Sequence, residues 1–156
     1  MLRLTTPRLT LAPLSDTELE SLMNHTRSSD SELADAYGDM LRGCRAHPQD
    51  WLWYTAWSIR LAENDEWLGD IGFKGPAGFP EIGYGLLPRY WGRGYATEAV
   101  SALCRWALSQ PGVEGLSAQT ASDNAASQRV LIKNGFYATG EMGPEGPMFL
   151  RKKEKE

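Results

Sequence analysis

The sequence predicts an α+β fold built on a mostly antiparallel sheet, and three observations lead to it. Apolar residues alternate at period two through several stretches of the first two thirds. Helical apolar spacing interrupts them early. A β-α-β-α-β succession then follows, in which a glycine-rich turn separates a strand from a long helix. At 156 residues, the chain reads as one domain over residues 1–156.

The elements follow in order. Leu9 and Leu11 alternate within RLTLAPL, and Pro13 ends that strand. Ser15 or Asp16 caps a helix reaching about Asn24, with Leu19, Leu22 and Met23 at helical spacing. A second helix spans about Ser31 to Cys44, with Leu33, Ala36, Tyr37, Met40 and Leu41 on one face, and Pro48 closes the region. Trp51, Trp53, Trp57, Ile59 and Leu61 alternate over 51–61 and predict an aromatic strand. The turn Glu63-Asn64-Asp65 folds it into a hairpin with a strand through Trp67, Leu68, Ile71 and Phe73. A Gly/Pro loop over 75–80 leads to a strand at 81–87. After the glycine turn come a helix at 96–110, a strand at 116–120, a helix at 124–134 stopped by Gly135, and strands near 136–140 and 147–152. Residues 151–156, RKKEKE, read as a frayed, charged end.

Composition narrows the function. Hydrophobic residues make up 42% and charged residues 23%, which suits a packed globular chain. A net charge of −4 supplies no global field for nucleic acid. Neither a membrane-spanning apolar run nor a signal-peptide core is present in MLRLTTPRLT, so a cytoplasmic protein without a membrane partner is expected. Cys44 and Cys104 form no CxxC pair, and a structural disulfide is not expected. Cys104 lies in an apolar helical stretch and reads as a small buried hydrophobe. Cys44 stands three residues before His47, a weak Cys–His pairing. Two histidines assemble no ligand set, so no metal is expected.

The informative segment is EIGYGLLPRYWGRGYATEAV, residues 81–100. Strand, glycine turn and helix start together make an anion site. Glycines let backbone N–H groups converge, and the helix dipole adds partial positive charge. Arg89 and Arg93 flank the turn. The phosphate-loop signature fails for want of Gly-Lys-Ser/Thr, and the dinucleotide fingerprint fails at Thr97. A turn that uses its glycines for geometry alone is the plain alternative.

Arg89-x-x-Gly92-x-Gly94 resembles the R/Q-x-x-G-x-G/A signature of the GNAT superfamily of acyl-CoA-dependent N-acetyltransferases. The longer string EIGYGL…WGRGYATEAV and the start TPRLTLAPL are similar to the ribosomal-protein N-acetyltransferase (RimJ/RimL-type) branch. In TASDNAASQRVLIKNGF, Asn124, Ser127, Val130, Lys133, Gly135 and Phe136 stand at the spacing of a second family segment. The resemblance runs the length of the chain in order and is weakest over 25–50.

The resemblance implies a splayed sheet of six to seven strands with about four helices, and acetyl-CoA as co-substrate. It implies a bulge on the strand at 81–87, which Gly83 and Gly85 suit. Leu86 and Leu87 would contact the pantetheine arm, and the N–H groups of Gly92, Arg93, Gly94, Tyr95 and Ala96, beside Arg89 and Thr97, would hold the pyrophosphate. Asn124 would stand beside the arm, and it also reads as a plain N-cap.

The implied reaction is direct attack of a primary amine on the thioester in a ternary complex. Glu81 is the first candidate base and Asp70 the second. Ser127 and Tyr137 are the candidate acids, because Leu131 occupies the place where many relatives carry a tyrosine. The aromatics Trp51, Trp53, Tyr54 and Trp57 read either as core or as an acceptor pocket. The expected acceptor is a protein N-terminus or a small-molecule amine, met on the side formed by residues 25–60, with the chain a monomer or homodimer. Two readings stand beside this one: a CoA-binding sensor without catalysis, and a nucleotide-phosphate module that shares only the glycine turn.

Overall fold

A computed structural model describes residues 2–154 and bears out the α+β class. The elements are β1 (Leu4–Thr5), β2 (Leu9–Pro13), α1 (Asp16–Thr26), α2 (Ser31–Ala46), β3 (Ala56–Leu61), β4 (Trp67–Phe73) and β5 (Glu81–Leu86). They continue with α3 (Tyr95–Leu108), β6 (Gly115–Gln119), α4 (Ala125–Lys133), β7 (Tyr137–Met142) and β8 (Pro147–Lys152). The eight strands form one sheet in the order β1-β2-β3-β4-β5-β6-β8-β7. Every neighbouring pair is antiparallel except β5–β6.

Ser15 caps α1 with a complete capping box, its side chain taking the Glu18 N–H while the Glu18 carboxylate takes the Ser15 N–H. Asp30 caps α2 by accepting from the Leu33 N–H. The sheet separates two apolar clusters. On one face Leu9, Leu11, Trp57, Ile59 and Ile71 pack against Val100, Leu103 and Ala107 of α3. On the other, Leu19 of α1 and Tyr37 and Leu41 of α2 close over Leu14 and Ala56. The two helical layers are thus held by alternate residues of the same strands.

Four expectations are corrected. Residues 48–53 form 3-10 turns, not the start of β3. Pro48 presets a helical φ at their beginning, and the apparent alternation of Trp51 and Trp53 belongs to this turn. Trp53 still reaches the core, its ring centroid 4.9 Å from that of Trp106 and tilted by 46°. The strand count rises to eight because Leu4 and Thr5 pair with Leu11 and Thr10, a stretch too short to show a period. The charged end begins later than expected: Leu116 pairs with Arg151 and Gly115 with Lys152. Lys155 and Glu156 lie outside the described residues. The register shift sits between β3 and β4, at Ile59/Arg60, whereas β5 pairs with β4 without interruption from Ile82 to Leu86.

Candidate active site

The splay comes from β6, which pairs with β5 only at Glu81–Ser117 and Ile82–Ala118 and then departs. Alternation decides what this exposes. Lys74 N–H donates to Glu81 O, and Leu87 N–H donates to Leu68 O, so the odd-numbered residues of β5 bond to β4. The N–H groups of Tyr84 and Leu86 point the other way, into the gap.

A cavity of about 480 Å³ occupies the gap on the α3 face. Its walls are Tyr84, Gly85 and Leu86 of β5, the turn and start of α3 at Trp91, Gly92, Gly94, Tyr95, Ala96 and Thr97, and Asn124, Ser127, Arg129 and Lys133 around α4. Gly92 and Gly94 take positive φ, 74° and 82°, and Gly94 is the N-cap of α3. No side chain caps this helix. The first N–H groups of α3 therefore lack intrahelical acceptors beside the cavity, where the dipole favours an anion.

The turn is braced from the bend between β1 and β2. Arg8 Nε bonds Glu98 Oε1 at 2.8 Å, and its Nη1 donates to Arg93 O at 3.0 Å. The guanidinium lies 4.2 Å above the Tyr95 ring, and the Thr6 hydroxyl also donates to Glu98. Burial pushes the Glu98 carboxyl up, but the hydrogen bonds from Thr6 and Arg8 outweigh it and hold the group below the usual glutamate range.

A second cavity of about 380 Å³ opens where β5 and β6 part. It shares Tyr84, Asn124 and Ser127 with the first and adds Glu81, Gly83, Lys74 and Gln119. Tyr84 Oη and Ser127 Oγ are 2.8 Å apart at this junction. Burial raises the Tyr84 phenol and the Ser127 hydrogen bond lowers it, with burial prevailing, so it stays protonated at neutral pH.

Most of the expected residues meet here. Leu86, Gly92, Gly94, Tyr95, Ala96, Thr97, Asn124 and Ser127 line the first cavity. Asn124 caps α4 by accepting from Ser127 N–H at 3.0 Å, which is its plain structural role. Leu87 does not offer its backbone: its N–H serves Leu68 and its carbonyl takes the Tyr90 N–H. Arg89 turns away toward Glu66, 3.7 Å off, and the Tyr90 ring. Arg93 gives its carbonyl to Arg8. Cationic side chains reach this cavity from Arg129 and Lys133, one helical turn apart on α4; Lys133 stands in the second family segment, whereas Arg129 was not singled out from the sequence. Their i, i+4 spacing was the available signal. Tyr84 was also missed, although it shares the parity of Leu86.

Glu81 lines the second cavity, with its carboxylate engaged by Lys74 Nζ at 2.8 Å and Gln119 Nε2 at 2.9 Å. Tyr137 is exposed on the edge strand β7 and lines neither cavity. Leu131 is buried core. The Cys44–His47 pairing does not form: the thiol is buried and donates to Trp51 O, while His47 stacks on Tyr54. Among the described residues no group of three His, Cys, Asp or Glu is arranged to hold a metal ion. No described helix is long and apolar enough to cross a membrane.

A sheet opened between two parallel strands, with an uncapped helix start beside the gap, is the architecture of an acyltransferase domain. The acetyltransferase (GNAT) domain family matches residues 8–137, and the chain belongs to this family. It is similar to the uncharacterized N-acetyltransferase YoaA of Bacillus subtilis, 36% identical over 54% of this chain and 49% of that protein. The matched stretch thus spans about half the length of that relative. The uncharacterized N-acetyltransferase p20 of Bacillus licheniformis is 30% identical over 81% of this chain and 70% of its own length. Among solved structures, the ribosomal L7/L12 α-N-protein acetyltransferase RimL in complex with coenzyme A shares the fold. Its TM-score is 0.73 at 16% identity, covering 97% of this chain and 98% of that one.

Proposed function

We propose that the protein is an N-acetyltransferase that passes the acetyl group of acetyl-CoA to a primary amine, by direct attack in a ternary complex. The observation that carries this reading is the cavity that joins the free edge of β5 to the uncapped start of α3. Its ends suit the two ends of the co-substrate. The N–H groups of Tyr95, Ala96 and Thr97, with Arg129 and Lys133, meet the pyrophosphate. The cleft-facing amides of Tyr84 and Leu86 meet the pantetheine arm and the thioester oxygen, where the charge of the tetrahedral intermediate develops.

The departing sulfur needs a hydrogen-bond donor. The Tyr84–Ser127 hydroxyl pair supplies one at the junction of the two cavities. This favours an enzyme over a silent CoA sensor, because it replaces the donor that Leu131 does not provide. The acceptor class is a protein or peptide N-terminus, in keeping with the ribosomal-protein acetyltransferase that shares the fold, or a small amine.

The test is thermal unfolding with acetyl-CoA, ATP or NAD. Acetyl-CoA at about 100 times its Kd adds roughly 2.7 kcal/mol, a rise of about 5–10 °C for a domain of this size. Thiol release on adding amines then reports transfer. No shift at millimolar acetyl-CoA sinks the reading.

A further inference from the structure

On the α2 face of the sheet, β5 presents a bare strip beside β4. Gly72 pairs with Gly83 and Asp70 with Gly85, and residues two apart share a face. Gly83 and Gly85 are exposed, neither has positive φ, and a Cβ on either would meet nothing within 4 Å. Neither backbone conformation nor crowding therefore calls for glycine at these two positions. A strand glycine often marks a bulge, a bend, or the close approach of a ligand or another backbone; β5 carries no bulge against β4, and Gly85 also borders the acetyl-CoA cavity, so ligand approach is the reading that fits this strip.

Carboxylates stand at both ends of the strip. Glu81 is held by Lys74 and Gln119. Asp70 has no cationic partner among the described residues, and its Oδ2 receives the hydroxyl of the buried Tyr37 from α2. The other charged group on this side, Arg60 of β3, is engaged by Asp65 and the Trp67 ring. Asp30, at the start of α2, acts on Tyr37. Only Gly85 stands between Asp70 and the free edge of β5, about one strand spacing of 4.8 Å away. The second cavity, lined by Gly83, leads through the parted strands to Tyr84 and Ser127.

We propose that Asp70, steadied by Tyr37, binds the ammonium group of the acceptor over the Gly83–Gly85 strip and takes its proton, so that the amine enters from the α2 face. The proposal rests on the acetyltransferase reading and identifies the acceptor as a cationic primary amine on an unbranched approach. One proton passes from the ammonium to the Asp70 carboxylate. The freed nitrogen pair forms the bond to the acetyl carbon, the carbon–sulfur bond breaks, and its electrons leave on the thiolate. The second nitrogen proton neutralises that thiolate. Burial raises the Asp70 carboxyl and the Tyr37 hydrogen bond partly offsets this, which suits a group that must accept a proton near neutral pH.

The experiment uses the full chain with two probes, butylamine and a tetrapeptide with a free N-terminal alanine. Asp70→Asn should keep the full acetyl-CoA thermal shift, which also shows that it folds, and Gly85→Val, whose position also borders the acetyl-CoA cavity, is read at saturating acetyl-CoA. Asp70→Asn should lower transfer about 10²–10⁴-fold and remove the acidic limb of kcat/KM. Gly85→Val should raise the amine KM at least tenfold. Tyr37→Phe should retain transfer and move the acidic limb to higher pH, because the lost hydroxyl favours the ionised carboxylate; a merely structural tyrosine would not move it. Transfer within about threefold of wild type in both Asp70→Asn and Gly85→Val, or an unmoved limb, overturns the proposal and leaves the transferase standing. Wild-type protein that binds acetyl-CoA but acetylates neither probe overturns both.

Discussion

Glu98 sits one turn into α3, close to where the anion argument wants positive charge, and Arg8 answers it from 90 residues away. Its carboxyl lies below the ordinary glutamate value of about 4.3. A depressed folded-state value contributes stability that is present above the unfolded value and lost as pH falls through the folded one. Glu98→Gln should therefore destabilise the protein at neutral pH and flatten the loss of stability below about pH 4.3, as read by urea unfolding across pH. Arg8→Ala should raise the KM for acetyl-CoA several-fold with little change in kcat, since Arg8 braces the turn without lining the cavity. The glycines of this turn were legible in the sequence because the chemistry is local. The brace was not, because a contact between the β1–β2 bend and α3 leaves no spacing to read.

Gly94 shows what an element boundary demands. As N-cap of α3 it holds a φ of 82° that other residues adopt at a cost of about 1–2 kcal/mol. A Cβ there would also come within 3.3 Å of Arg8 Nη2. Gly94→Ala should lower stability by roughly that amount and weaken acetyl-CoA binding at least tenfold in calorimetric titration. At the start of α1, Ser15→Ala should cost about 1 kcal/mol and leave acetyl-CoA binding unchanged, because the capping box is remote from the cavity. Helix starts were legible because caps carry side-chain signatures. The Trp51–Trp53 segment misled because alternate aromatics in a 3-10 turn look the same in one dimension as alternate aromatics in a strand. Only the position of Pro48 hinted otherwise.

Across the whole molecule the sheet does two jobs with one set of strands. Alternate residues of its strands feed separate apolar clusters, so damage to one layer should be felt differently from damage to the other. Leu103→Ala, on the buried face of α3, should cost about 2–5 kcal/mol in unfolding and lower acetyl-CoA affinity with it. Leu19→Ala, on the buried face of α1, should cost a similar amount yet leave the acetyl-CoA thermal shift intact. Strand identity was readable from periodicity. Strand order was not, because only the folded register shows that β6 abandons β5 after two pairs. That departure leaves the amides of Tyr84 and Leu86 without a strand partner while their odd-numbered neighbours are locked to β4. Along a single strand, alternate amide protons will therefore trade with solvent deuterium at different speeds. Every second one, slowing as the cleft fills, serves as a built-in gauge of occupancy that needs no turnover at all.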